Sequence, residues 1–245
     1  MGKCHIKRIN APKRWDVLRR QKCFISRPNA GRDFSLCMAL NTVLKELLVK
    51  TTTTKESKFL IHNKQVLVNG KVRFDEKFPV GFLDVVSFPL LKESYRLLIN
   101  KKSKLFMIKI NDEEAKLKLS KVMNKQVLSA DAVQLNCSDG KNFLFKANDV
   151  ALKNIGINDT VLYSLADNKI IQVLKLEKGA LVYLYKGKHA GRVLPINDFK
   201  EGNMIFKTED EVFETERTYA FVIGKEKPVI TLGLKIDDKT EAKAK

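Results

Sequence analysis

Ten cations and a single acid stand in the first 32 residues: Lys3, Lys7, Arg8, Lys13, Arg14, Arg19, Arg20, Lys22, Arg27 and Arg32 against Asp16. Cations at this density repel one another unless anions sit between them, and a polyphosphate backbone supplies anions at that spacing. Trp15 and Phe24 interleave with them and offer flat surfaces on which bases stack. For Trp15 a second role stays open, that of a plug in a hydrophobic pocket of its own chain. Two more cation groups follow. Lys55 and Lys58 lie on the outer side of an expected short helix, while Lys71 and Arg73 alternate with Val72 and Phe74 and so share one face of a strand. The third group is Lys186-Gly187-Lys188-His189-Ala190-Gly191-Arg192, where glycines let backbone amides approach a phosphate and cations neutralise it. It lacks the Gly-x-x-x-x-Gly-Lys-[Ser/Thr] spacing of a P-loop. The three histidines, His5, His62 and His189, stand beside no nucleophile, and the acids fall mostly in turns. No catalytic residue is assigned, and no cofactor or small-molecule substrate is expected.

Across 245 residues, 46 Lys and Arg face 28 Asp and Glu, a formal net charge of +18, half of it in the first 32 positions. A compact chain so charged is stabilised by a polyanion, nucleic acid or an anionic membrane. The membrane fits poorly. No apolar run approaches the roughly 20 residues of a bilayer span, and the N-terminus lacks the apolar middle of a secretory signal. The clearest helical stretch, Asp33 to Val49, carries only Lys45 against Glu46, which makes no basic amphipathic face. Cys4, Cys23, Cys37 and Cys137 are irregularly spaced. Free thiols in a reducing, cytosolic compartment are expected; a zinc site made of them with His5 is the alternative, and no metal site is assigned.

The length suits two or three modest domains. Pro12 and Pro28 suit an extended basic arm, lying on another molecule, up to about Asp33. Leu36, Leu40, Leu44 and Leu48 recur every fourth residue and predict a helix from Asp33 to Val49, capped by Asp33 or Ser35. Thr53 with Glu56 has capping-box spacing and predicts a second helix over Thr54 to about Asn63, packed by Phe59, Leu60 and Ile61. Asn69-Gly70 between two β-rich runs predicts a hairpin, since that turn needs positive φ at both centres. From 95 to 175 the chain reads as mostly β, with strands at Tyr95–Ile99, Leu105–Ile110, Asn142–Lys146, Asp159–Leu165 and Lys169–Leu176. A short helix is predicted within Asn111–Val122, its first turn acidic. Two strands flank the 186–192 loop, and the tail from Lys235 is polar and expected to be disordered.

Several blocks in chain order resemble the small-subunit ribosomal protein four family of eukaryotic and archaeal type. They are Lys7-Arg8…Ala11-Pro12-Lys13…Trp15 with Arg27-Pro28…Gly31, then Val68-Asn-Gly-Lys-Val-Arg73…Pro79-x-Gly81-Phe82-x-Asp84-Val85. After these come Glu113-Glu114-Ala115-Lys116-x-Lys118-Leu119-x-Lys121-Val122, Asn158-Asp159-Thr160, Gly179-Ala180…Gly187…Gly191-Arg192, and Phe221-Val-Ile-Gly224-Lys225…Lys227-Pro228. The resemblance spans roughly residues 5–232. It implies an α+β, multi-domain chain: a basic N-terminal extension (1–41), an αα-β RNA-binding domain (42–94), a mostly-β middle domain (95–173), an SH3-like β-barrel KOW domain (174–232) and a disordered tail (233–245). It further implies a structural constituent of the small (40S) ribosomal subunit that binds ribosomal RNA and supports assembly and translation. Phosphate contacts would fall on Lys7, Arg8, Lys13, Arg14, Lys71, Arg73 and Arg192. The implied partners are ribosomal RNA and neighbouring ribosomal proteins, with no membrane, and the implied location is the cytoplasmic ribosome with assembly beginning in the nucleolus. A shorter loop from Asn197 to Glu211, Val229 in place of an aromatic and a nearly absent basic extension weigh against C-terminal RNA contacts. Two other readings compete. An RNA-modifying enzyme would need a catalytic domain beside the RNA-binding one, and a non-ribosomal RNA binder would show flexible linkers or repeated modules; neither is found.

Overall fold

The computed structural model describes residues 5–20, 22–129, 132–146, 149, 152, 154–200, 202–207 and 212–233. The predicted disordered tail, from 234 on, and Cys4 lie outside these. The chain divides into two compact units: residues up to Ile99 with 103–118 and 164–168, and residues 100–102, 119–163 and those from 169 on. Helices are few, and strands supply the larger part of the regular structure in both units. Among the described residues no helix is long and apolar enough to cross a membrane.

In the first unit the N-terminal segment is not an extended arm. It folds back on its own unit, with β1 (Ile6–Lys7) paired antiparallel to β2 (Phe24–Ile25). Trp15, 1% exposed, packs against Phe34 at 5.5 Å between ring centroids. Burying an indole is worth more than presenting it to water, and Ala11 and Ile25 of the same segment are buried too.

The helix predicted from Asp33 is largely a different structure. Leu36 to Leu40 are buried all round, and Cys37–Ala39 forms β3 against β6 (Pro79–Gly81). The leucine spacing misled because Cys37, Met38 and Ala39 between those leucines are apolar too, as in a strand buried on both faces. Asp33 caps a turn instead, its carboxylate accepting the Ser35 amide at 3.0 Å. A helical segment starts only at α1 (Leu40–Thr42), continues as a π-helical turn over Val43–Leu47, and ends at Val49 with φ 51°.

The second helix is as predicted. α2 (Thr54–His62) begins with a complete capping box, Glu56 N–H donating to Thr53 Oγ1 at 3.2 Å and Thr53 N–H to Glu56 Oε2 at 3.3 Å. Ile61 is buried as expected, whereas Phe59 points outward. Next, β4 (Leu67–Val68) and β5 (Lys71–Val72) pair across Asn69 (φ 52°) and Gly70 (φ 73°), the predicted hairpin. With β7 (Val85–Phe88), β8 (Glu93–Ile99) and β9 (Leu105–Ile110) they complete a five-stranded sheet in the order β5-β4-β7-β8-β9.

The helix predicted within 111–122 stops early. α3 (Asp112–Ala115) is one turn, and β10 (Leu117–Ser129) follows at once. β10 lies in the middle of a sheet ordered β12-β11-β10-β13-β14, with β11 (Ala132–Cys137), β12 (Asn142–Lys146), β13 (Thr160–Ser164) and β14 (Ile170–Leu174). In the first half of β10 Lys118 to Val122 are all buried, so no alternation betrays them in sequence. Further on, β15 (Leu181–Leu184) is flanked by β16 (Val193–Pro195) and β20 (Ala220–Gly224), while β17 (Asp198–Lys200), β18 (Asn203–Lys207) and β19 (Val212–Glu216) make a second three-stranded sheet.

Candidate nucleic-acid interface

The cations of the N-terminal segment separate into two groups. Lys7, Lys13, Arg20 and Arg27 are exposed, and Arg14 is half-buried. Arg8 and Arg19 turn inward. Arg8 is buried, its guanidinium donating to Glu46 Oε1 at 2.5 Å and to the Leu18 carbonyl. Arg19 donates to the carbonyls of Ile9 (2.9 Å), Ala11 (2.8 Å) and Pro12 (3.1 Å), clipping the loop closed. Those donors are taken up by a carboxylate and by carbonyls of the same unit, from which a phosphate would have to displace them. Arg8, Arg19 and Trp15, assigned to RNA contact from the sequence, make these contacts within their own unit and build its platform. For Trp15 the self-packing alternative holds, since a covered ring has no face left for a base.

The platform is tied together at Asp84, wholly buried near the start of β7. Its carboxylate accepts from Lys118 Nζ at 2.7 Å, Arg32 Nη2 at 2.9 Å, Asn69 Nδ2 at 2.9 Å and the Gly81 amide at 2.7 Å. Burial by itself pushes this carboxyl up, and the charges of Lys118 and Arg32 with these hydrogen bonds outweigh it and hold the group below its ordinary range. Asn69 returns the contact, its Oδ1 accepting the Val85 amide at 2.9 Å. The turn that presents Lys71 is thus fixed from beneath.

On that hairpin Lys71 is exposed, but the two cations do not behave alike. Arg73 lies past the end of β5, its guanidinium carbon 4.4 Å from the centroid of the Phe78 ring. That stacking holds the guanidinium plane against an aromatic instead of leaving it to swing freely. Lys55 is exposed on α2, and Lys58 on the same helix reaches Glu76 at 3.4 Å. A fringe of cations on β5 and α2 results, with Lys55, Lys58 and Lys71 all exposed.

In the second unit, residues 186–192 form the loop between β15 and β16, as the sequence indicated. Lys188 is exposed, and Lys186 Nζ stands 5.9 Å from the Tyr185 ring centroid. His189 stacks on Phe213 (3.9 Å, 16° between planes), and Arg192 lies 6.0 Å from the same ring. Gly191 does not offer its amide to a phosphate: that N–H donates to the Leu184 carbonyl at 2.7 Å. Its φ of +86° and its lack of a side chain serve a close approach, because a Cβ there would fall 2.1 Å from the Asn100 carbonyl oxygen. This contact brings the turn bearing Lys101 and Lys102 beside the loop, two exposed cations that the sequence reading treated only as turn residues. Phe213 was also missed; its single signal was the alternation of β19. Beneath the loop Lys121 is buried and donates to the carbonyls of Arg217 (2.8 Å), Thr218 (2.9 Å) and Ala220 (2.8 Å). Burial, with Lys186 adding like charge, brings its ammonium down to about 7.

The geometry is that of a scaffold, with outward cations on rigid turns and inward ones that lock those turns. Among the described residues no group of three or more His, Cys, Asp or Glu is placed to hold a metal ion. Comparison with known proteins bears on what the scaffold serves. A model described as ribosomal family S4e matches residues 91–170, and one described as the RS4NT (NUC023) domain matches residues 1–31. Small ribosomal subunit protein eS4 of Archaeoglobus fulgidus is 35% identical over 243 residues, 96% of this chain and 100% of its own. The protein of the same name from Methanocaldococcus jannaschii is 34% identical over 241 residues, 94% of this chain and 98% of its own. The crystal structure of the 30S ribosomal protein S4e from Thermoplasma acidophilum is similar with a TM-score of 0.66 at 29% identity, covering 78% of this chain and 96% of that one.

Proposed function

Since the chain belongs to ribosomal family S4e, whose members are structural constituents of the small ribosomal subunit and not enzymes, we propose that it binds ribosomal RNA there and supports subunit assembly and translation. The observation that carries the reading is the sorting of the cations. By exposure, Lys7, Lys13, Arg14, Arg20, Arg27, Lys55, Lys71, Lys188 and Arg192 lie wholly or partly at the surface, and Arg8, Arg32 and Lys118 lie inward against internal acids. Cations left open in this number are neutralised by phosphates with release of counterions, which requires no cofactor. Lys58 and Arg73 on the first unit, and Lys186 and His189 on the second, stand beside acidic or aromatic neighbours from which a phosphate can draw them.

In this reading the α2 and β4–β5 region is an RNA-binding domain within 42–94, behind a basic extension over 1–41. The middle sheet spans 95–173, and the 186–192 loop is the KOW hairpin of an SH3-like barrel over 174–232. The ligand is small-subunit ribosomal RNA and the neighbours are ribosomal proteins, in the cytoplasm after assembly begun in the nucleolus. Sucrose-gradient sedimentation of a lysate, each fraction blotted for this chain and the run repeated at high salt, tests it. Comigration with the small subunit through the salt wash is expected. Recovery only in light fractions, or release at modest salt, would replace it with a non-ribosomal RNA binder.

A further inference from the structure

A cavity of about 740 Å³ opens in the first unit between the β1–β2 hairpin, the π-helical turn and the threonine run that leads into α2. Sites for small organic ligands run roughly 300–1,000 Å³, so a nucleotide fits. Lys22, Arg27, Lys45 and Lys77 line it, and the single acid of the lining, Glu46, is already held by Arg8 at 2.5 Å. Burial first, and then the charge of Lys22, push the Lys45 ammonium below its ordinary range, against the opposing charges of Glu46 and Glu76. Lys45 Nζ meets the Thr54 hydroxyl at 3.2 Å, so its head is directed across the cavity toward the start of α2.

One wall is aromatic. Phe24 is 55% exposed, and His5 stands edge-on to it at 5.2 Å and 88°. A phenyl ring kept in water beside a group of cations is unfavourable by itself and is covered well by a nucleobase, whose π-face stacks on any aromatic. A base inside a duplex cannot reach such a wall, because its faces are already stacked and the cavity does not admit a helix.

We propose that this cavity takes one unpaired nucleotide extruded from an RNA strand, its phosphate among Lys22, Arg27, Lys45 and Lys77 and its base on the face of Phe24. The inference rests on the RNA-binding reading above and narrows it, since the outward cations elsewhere meet backbone alone while this cavity demands an extruded residue. The test is fluorescence anisotropy of the full chain with two RNA hairpins, identical except for one bulged nucleotide in the stem. The bulged hairpin binds about tenfold more tightly, from the stacking of one base. Phe24→Ala, an exposed position, abolishes that preference and leaves the affinity for the fully paired hairpin as it was. Lys22→Gln with Lys77→Gln weakens the bulged hairpin more than the paired one. Equal affinities for the two hairpins, or a preference that survives Phe24→Ala, would overturn the assignment of the cavity while the RNA-binding reading stands. Binding of neither hairpin would overturn both.

Discussion

Replacing Asp84 with Asn keeps the side-chain volume and removes the charge that four donors converge on. Lys118, at 2% side-chain exposure, then has no counter-charge at 2.7 Å, and Arg32 loses its partner at 2.9 Å. Breaking a buried pair in this way costs about 3–5 kcal/mol, a large share of the roughly 5–15 kcal/mol that holds a folded protein together. At ~2–4 °C per kcal/mol for a chain of this size, a loss of about 4 kcal/mol lowers Tm by ~8–16 °C. Differential scanning calorimetry at pH 7 reads this directly. Adding Lys118→Met removes the buried ammonium as well, so the double variant Asp84→Asn, Lys118→Met recovers part of the loss although it holds one interaction fewer. Because the Asp84 carboxyl is held below its ordinary range in the fold, its stabilisation is present above that range and disappears as the pH falls through the folded value. The Asp84→Asn variant is therefore flatter in acid than the parent. A Tm within about 2 °C of the parent, or a double variant no more stable than the single one, would refute the claim that this hub carries the first unit.

Lys71→Glu weakens binding to a small-subunit RNA fragment with little dependence on sequence and lowers the salt slope of log K by about 1; an unchanged slope between 50 and 200 mM salt would remove Lys71 from the interface. Gly191→Ala places a methyl 2.1 Å from the Asn100 oxygen at φ +86°, so it destabilises the second unit by at least about 1–3 kcal/mol, visible as a lower urea midpoint. Glu93 accepts from Lys50 (2.7 Å), Lys109 (3.0 Å) and the Tyr95 hydroxyl (3.0 Å), which hold its carboxyl at about 2 instead of 4.5. Its contribution is complete above about pH 4.5 and vanishes as the pH falls toward 2. The urea midpoint of Glu93→Gln changes less over that interval, and parallel curves for variant and parent would count against the network.

Features whose cause is local are legible from residue order alone. The capping box at Thr53 and Glu56 needs only a spacing of three, and the Asn69-Gly70 hairpin needs only two residues that tolerate positive φ, so both stand where they were read. The excess of cations and its concentration near the N-terminus are likewise properties of composition, and they pointed to a polyanion before any geometry was known. Which cations face outward was decided only by tertiary structure. Arg8 finds Glu46 38 positions away, Arg32 finds Asp84 52 positions away, and Lys121 reaches carbonyls 96 to 99 positions away. A lysine in the middle of a buried strand reads as a surface residue until that partner is brought to it. The same holds for Leu36 to Leu40, where an apolar run fits a helix or a strand equally, and the choice fell to the Pro79–Gly81 strand that pairs with it. The cavity beside Phe24 belongs to this second class too, since its cations come from positions 22 to 77 and only folding sets them around one space.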